Sequence, residues 1–256
     1  MSPVGAIVRK ELRSYFVSPV AYVVMAVFLL IMGFLFFLAT ISVSNRSAQM
    51  MRMQGTLPEL NLNEVVFRFA FDNLAIILLL VVPILTMRLF AEEKKLKTMD
   101  LLVTSPLTIT EIVVGKFVAA LTVFTAMLAL SAVAPLALSL FTEFRWAPIL
   151  TAYLGALLLG GLFLSAGLLA SSLTENQIIA VILSFGVLLV FWLFGWLGQL
   201  LSETVLGTVL SYMAPGVHFQ NLIKGLVETK DLVYFVAGIV FALFLTHRVI
   251  ESQRWR

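Results

Sequence analysis

Long apolar runs alternate with short charged ones along this chain, and the alternation predicts its architecture. Six stretches stand out: Val20–Ser42, Leu74–Phe90, Phe117–Phe141, Pro148–Leu169, Ile178–Leu201 and Leu232–Leu245, the last extending to Ile250. About 20 apolar residues cross roughly 30 Å of hydrocarbon, so each run is read as a transmembrane helix. Between them the polar pieces carry helix punctuation. Ser2 suits an N-cap and Pro3 a first helical position. Val4, Ile7, Val8, Leu12, Tyr15 and Phe16 then recur at helical spacing, with Arg9, Lys10 and Arg13 on other faces. Residues 2–17 are therefore predicted as an amphipathic interface helix, turned into the first span by Ser18-Pro19.

The densest charge lies in 91–111, where Glu92, Glu93, Lys94, Lys95 and Lys97 separate two spans. Thr98 is predicted to cap a short helix over Met99–Val103, with Asp100 beside the apolar pair Leu101-Leu102 and Pro106 as its stop. Thr108 and Glu111 form a capping box that opens the third span. A passive connection needs no such signals, so this segment reads as a lever for a cytoplasmic partner. Two further pieces face the other side: a loop over 43–73, and a hairpin over 202–231 whose short apolar halves flank Pro215-Gly216. Glu64, Arg68 and Asp72 at four-residue spacing start the second helix ahead of its span. His218 stands alone in the hairpin and reads as a packed side chain. Pro83 and Pro135 are expected to bend the second and third spans.

Composition narrows the class. Hydrophobic residues make up 61% of the 256 positions and charged ones 12%, against about 45–50% and 25% in soluble domains. The fold class is all-α integral membrane protein, one six-span domain over 1–256. The chain has no cysteine, which excludes disulfides, thiolate metal sites and a cysteine nucleophile. The first span is too long for a cleaved signal and is expected to remain as an anchor. With both termini cytoplasmic, eleven of the 17 lysines and arginines fall inside, as the positive-inside rule favours. The net charge of +3 reports topology and not nucleic-acid binding.

The span interiors offer no proton relay or ion ladder, which argues against ion-driven transport through this chain. The fourth span instead carries Ala152, Ala156 and Gly160, then Gly161 and Ser165, then Gly167 and Ser171. That spacing brings helix backbones close, and Gly160, Gly161 and Ser165 are the candidates for packing against another subunit. Gly115-Lys116 lacks the rest of a phosphate loop, so no nucleotide site is read and the chain is not an ATPase by itself. Met50, Met51 and Met53 raise copper(I) ligation as a minor reading beside apolar filler.

Taken together, "RKELRSYFVSP", "VVPILTMRLFAEEKK" and "TMDLLVTSPLTITEIVVGKF" resemble the permease subunit of ABC-2 type transporters, most closely the gliding-motility-associated subgroup. The distinctive motifs occupy Pro83–Phe117; the six-span plan covers the whole chain. One departure stands out: the family pattern has Gly-Thr where this chain has Lys97-Thr98. The resemblance implies an ABC-2 (type V exporter-like) permease fold in the bacterial cytoplasmic membrane. It implies two copies of a cytoplasmic ABC ATPase that bind ATP and Mg, and a second permease copy or paralogue. It also makes the short helix the coupling helix, with Glu92, Glu93, Thr98, Asp100, Leu101 and Leu102 as ATPase-contact residues, flanked by the interface helix with Arg9, Lys10 and Arg13. The turn 171–177 becomes a second cytoplasmic contact. Two functions follow as expectations: ATP-driven export, or mechanical transmission to an extracytoplasmic accessory protein such as an envelope or motility assembly. Copper-related maturation is a third. Membrane lipid is the surrounding partner.

Overall fold

A computed structural model describes residues 2–54, 66–99, 107–141 and 145–253, without the side chains at 46, 47 and 50–54. Every element among these residues is helical. The chain runs through α1 (Pro3–Val17), α2 (Pro19–Gln54), α3 (Arg68–Asp72), α4 (Leu74–Thr86), α5 (Ala91–Lys95) and α6 (Ile109–Ser131). It continues through α7 (Val133–Ser139), α8 (Trp146–Ser172), α9 (Gln177–Leu200), α10 (Val205–Met213), α11 (Pro215–Ile223) and α12 (Thr229–Gln253). Six segments are long and apolar enough to span a membrane: Pro19–Asn45, Leu74–Lys95, Ile109–Ser139, Trp146–Ser172, Gln177–Leu200 and Thr229–Gln253. They coincide in place with the six expected runs.

α8 is the axis of the bundle. Of its span 78% is buried, against 28% for the α2 span, 22% for α12 and 17% for α9, and it packs on α4, α6, α9, α11 and α12. Apolar side chains gain nothing by leaving lipid for one another, so close backbone approach has to supply the adhesion. The small residues permit it. A Cβ at Gly160 would lie 2.0 Å from Phe124 of α6, and one at Gly167 would lie 2.3 Å from Thr86 of α4. Gly161 faces Ile239 of α12, and Ser165 is fully buried. The stripe expected to meet another subunit is thus consumed inside this one.

Local signals explain most boundaries. Ser2 accepts the Gly5 N–H at 3.3 Å with Pro3 in the first turn. The Thr108–Glu111 capping box opens α6, with Thr108 N–H donating to Glu111 at 2.8 Å and Glu111 N–H to Thr108 Oγ1 at 3.3 Å. Pro135 breaks the third span at Ala132, between α6 and α7, because it lacks an N–H and its ring crowds the carbonyl four residues back. Pro83 sits inside α4 without interrupting it.

Three expectations are corrected. The loop over 43–73 begins later, because α2 continues to Gln54, with no glycine or proline to break it between Gly33 and Gly55. The second helix, read as continuing to Phe90, ends earlier: α4 stops at Thr86, and a turn precedes α5. His218 is not alone. The hairpin forms as α10 and α11, and His218 is buried within it with Nδ1 2.6 Å from Asp231 of α12 and Nε2 2.9 Å from the Tyr212 carbonyl. Asn221 donates to the second Asp231 oxygen at 3.0 Å, and the Tyr234 ring stacks on His218 at 4.0 Å. Arg68 and Asp72 pair at 3.6 Å, whereas Glu64 and the Met50, Met51 and Met53 side chains lie outside the described residues.

Candidate functional site

The charged segment meets α1, α6 and the end of α8 at one polar joint. Its centre is Lys116, about two turns into α6 and 1% exposed. Its ammonium lies 2.8 Å from Glu11 of α1 and 2.9 Å from Glu93 of α5, with the Phe90 ring centroid at 5.1 Å. Lys10 closes the cluster, 2.6 Å from the other Glu93 oxygen and 3.3 Å from Glu11. Two ammoniums thus face two carboxylates across three elements far apart in sequence. A buried lysine is tolerated only when so paired, and removing one member of such a set costs about 3–5 kcal/mol because the others are left charged and dry.

Each piece arrives there for a local reason. α1 presents Ile7 and Glu11, one turn apart, on its buried face, while Arg9 and Arg13 point to solvent. Gly115 lets that face approach: a Cβ there would fall 2.8 Å from the Ile7 side chain. Further along α1, the Tyr15 hydroxyl donates to the Leu85 carbonyl at 2.7 Å, satisfying a group at the frayed end of α4. Burial raises the Tyr15 phenol above the ordinary tyrosine range. Burial also works to lower Lys10, but Glu93 and Glu11 outweigh it and hold the ammonium above the usual lysine value.

The turn between α4 and α5 is stitched to α8 by one serine. Ser171 Oγ accepts the N–H groups of Phe90 and Ala91, each at 3.1 Å, and donates to the Met87 carbonyl at 3.1 Å. Lys94 donates to the neighbouring Ser172 carbonyl, as does Gln253 of α12 at 3.4 Å. α5 then closes in a Schellman motif: Thr98 N–H reaches the Glu93 carbonyl at 2.9 Å, and Lys97 N–H the Lys94 carbonyl at 3.0 Å. That motif puts Lys97 at φ 55°, a left-handed conformation natural to glycine. The Gly-Thr of the family pattern is therefore explained: it is the cap of this helix.

The expected contact residues separate. Glu92 is partly exposed and stands 4.0 Å from Arg88. Glu93 is 8% exposed, its carboxylate turned inward onto Lys10 and Lys116. Thr98 closes α5 as well as preceding Met99, since its hydroxyl also donates to Glu93 O at 3.2 Å. Asp100, Leu101 and Leu102 lie outside the described residues. Leu96, 63% exposed, lies on the surface of this segment. Lys10, expected only on the polar face of α1, is part of the lock, whereas Glu11 and Lys116 were missed; Ser171, read in a packing stripe and a cytoplasmic turn, ties α8 to the α4–α5 turn. The missed signal was an isolated glutamate on the apolar stripe of α1 and a lone lysine beyond the third helix's cap.

A search of curated proteins returned no match. The family model described as ABC-2 family transporter protein matches residues 5–250, nearly the whole chain and all the elements that build the joint. The chain thus belongs to the ABC-2 transporter family, as a multi-pass, all-helical membrane permease component with six candidate spans.

Proposed function

We propose that this permease couples ATP hydrolysis by two copies of a separate cytoplasmic ATPase to export across the bacterial cytoplasmic membrane, working with a second permease copy or paralogue. The ATPases hold ATP and Mg, and both termini of this chain lie on their side. The single observation that supports this reading most is the Lys116–Glu93–Glu11 lock. A push on the segment from Glu92 to Leu102 is handed through Glu93 to α1 and α6, and through Ser171 to α8. The motif text over Pro83–Phe117 supports assigning the chain, within the family, to the gliding-motility-associated subgroup.

Co-expression of the permease with its ATPase tests the reading. Leu101→Asp, on the proposed contact, and Lys116→Met, in the lock, are each expected to lower permease-stimulated ATP hydrolysis while membrane insertion persists. Stimulation unchanged in both variants would remove the coupling assignment.

A second reading is motivated by the far side of the membrane. α2 projects to Gln54 beyond its span, and the α10–α11 hairpin is pinned to α12 through His218 and Asp231. Such rigid outer elements suit mechanical transmission to an extracytoplasmic protein with no transported substrate. Hydrolysis that rises on addition of that outer protein, and with no solute, favours this second reading.

A further inference from the structure

Two cavities adjoin on the side of the molecule where α1 turns into α2. One, of about 250 Å³, lies between α1, the start of α2 and the end of α4, and is lined by Ser14, Ser18, Arg88 and Glu92 among others. The other, of about 210 Å³, is a wholly aliphatic groove between α2 and α4. Val24 and Ile84 line both, so polar chamber and greasy groove adjoin.

The groove opens sideways. Its floor is buried, with Val24, Ile77 and Val81 each below 8% exposed. Its rim is not: Val23, Val27, Ile76 and Leu80 are 47–61% exposed. From Ile76 to Ile84 the helical rise covers about 12 Å, close to one half of a hydrocarbon core of roughly 30 Å. The polar end contains an unfinished group. Arg88 Nη1 donates to Ser18 at 2.7 Å, but its buried Nε has no hydrogen bond and the Glu92 carboxylate stands 4.0 Å off. Leaving a buried guanidinium N–H unmet is costly, so this one calls for an acceptor.

The charges around the chamber balance: Lys10, Arg88 and Lys116 against Glu11, Glu92 and Glu93. A polyanion finds no net attraction there, whereas a headgroup carrying both signs does. We infer that the adjoining cavities hold one glycerophospholipid with a zwitterionic aminophosphate headgroup, its phosphodiester on the partly exposed Arg88 guanidinium, its amine toward Glu92, and one acyl chain in the α2–α4 groove. The inference does not rest on the coupling role proposed above. It requires only that the Arg88 end of α4 meet one membrane surface.

The full chain in nanodiscs, labelled with phosphatidylethanolamine bearing a diazirine on its acyl chain, tests this. Photolabel is expected on Val27 and Leu80 well in excess of the lipid-facing Val240 and Phe241 of α12, which serve as the control face. Arg88→Gln is expected to cut groove labelling about tenfold, the loss that one charge-assisted hydrogen bond accounts for. Leu80→Trp, which fills the groove and leaves Arg88 in place, is expected to do the same. The matching phosphatidylglycerol probe is expected to label the groove more weakly. Equal labelling of groove and control face, or labelling indifferent to both substitutions, overturns the inference in favour of unspecific annular lipid. Phosphatidylglycerol labelling as strong as phosphatidylethanolamine overturns the headgroup assignment. Displacement of the label by millimolar inorganic phosphate shows a free-anion site and overturns the lipid. A spontaneous Val27→Cys disulfide between two chains overturns it too, making the groove an interface between copies.

Discussion

Among the described residues, a buried polar cluster stands at each end of the helical bundle, and the two are built for different distances. At the α1–α5–α6 joint, Lys10 binds Glu93 and Lys116 binds Glu11, partners 83 and 105 positions apart in the chain. At the α10–α11 hairpin, Asp231 binds His218 and Asn221, only 13 and 10 positions away. The first cluster consists of full charges whose separate burial is prohibitive, so it enforces a particular docking of remote helices. The second relies on a histidine and an amide, and fastens a local turn to the helix that follows it. One cluster joins segments remote from one another in the chain, while the other keeps a short hairpin in shape.

The contrast is broken most severely at Lys116. Lys116→Met leaves Glu11 and Glu93 facing a methyl group and is expected to cost about 3–5 kcal/mol. Thermal unfolding in detergent measures the loss, and limited proteolysis should show α1 released. Asp231→Asn comes next. It removes the charged partner of His218, for an expected loss of about 1.5–3 kcal/mol. Proteolysis should then open 202–231 and leave α1 protected; release of α1 by this variant contradicts the separation of the two clusters.

Lys97→Gly probes the edge of the inner joint with the opposite sign. It removes the left-handed strain of a lysine at φ 55° and should stabilise α5 by about 1 kcal/mol, read as a small rise in Tm. The smallest effect is that of pH. Because Glu93 and Glu11 raise Lys10 in the folded protein, its contribution is complete below the ordinary value of 10.5 and lost only as pH climbs through the higher folded value. Protection of α1 from protease should stay level through neutral pH and fall only in strong alkali. A fall near pH 7 would show another group in control.

The same contrast explains what could be read before the fold was known. The spans, α1 and the capping box at Thr108 were legible because each follows from neighbours within a few turns: apolar length, Ser2-Pro3, and Thr108 with Glu111. Even the Lys97-Thr98 departure carried meaning, since it marked the left-handed cap of α5. The inner lock was not legible. Glu11 sat on an apolar stripe, Lys116 counted merely as one more cytoplasmic charge, and nothing local paired them. Ser171 read as one of several small residues, because its duty is to a turn some 80 positions earlier in the chain. Pairing at such range is set by helix packing, which periodicity does not encode.

The central claim is that α5 and α1 move as one body when the partner ATPase works. Spin labels at Arg9→Cys and Lys95→Cys, in a chain with no other cysteine, report the separation across the joint by pulsed electron resonance. The account predicts one narrow distance distribution, unchanged between nucleotide-free and ATP-bound complexes, that broadens only when Lys116→Met is added. A distance that shifts with nucleotide while Lys116 is intact contradicts it.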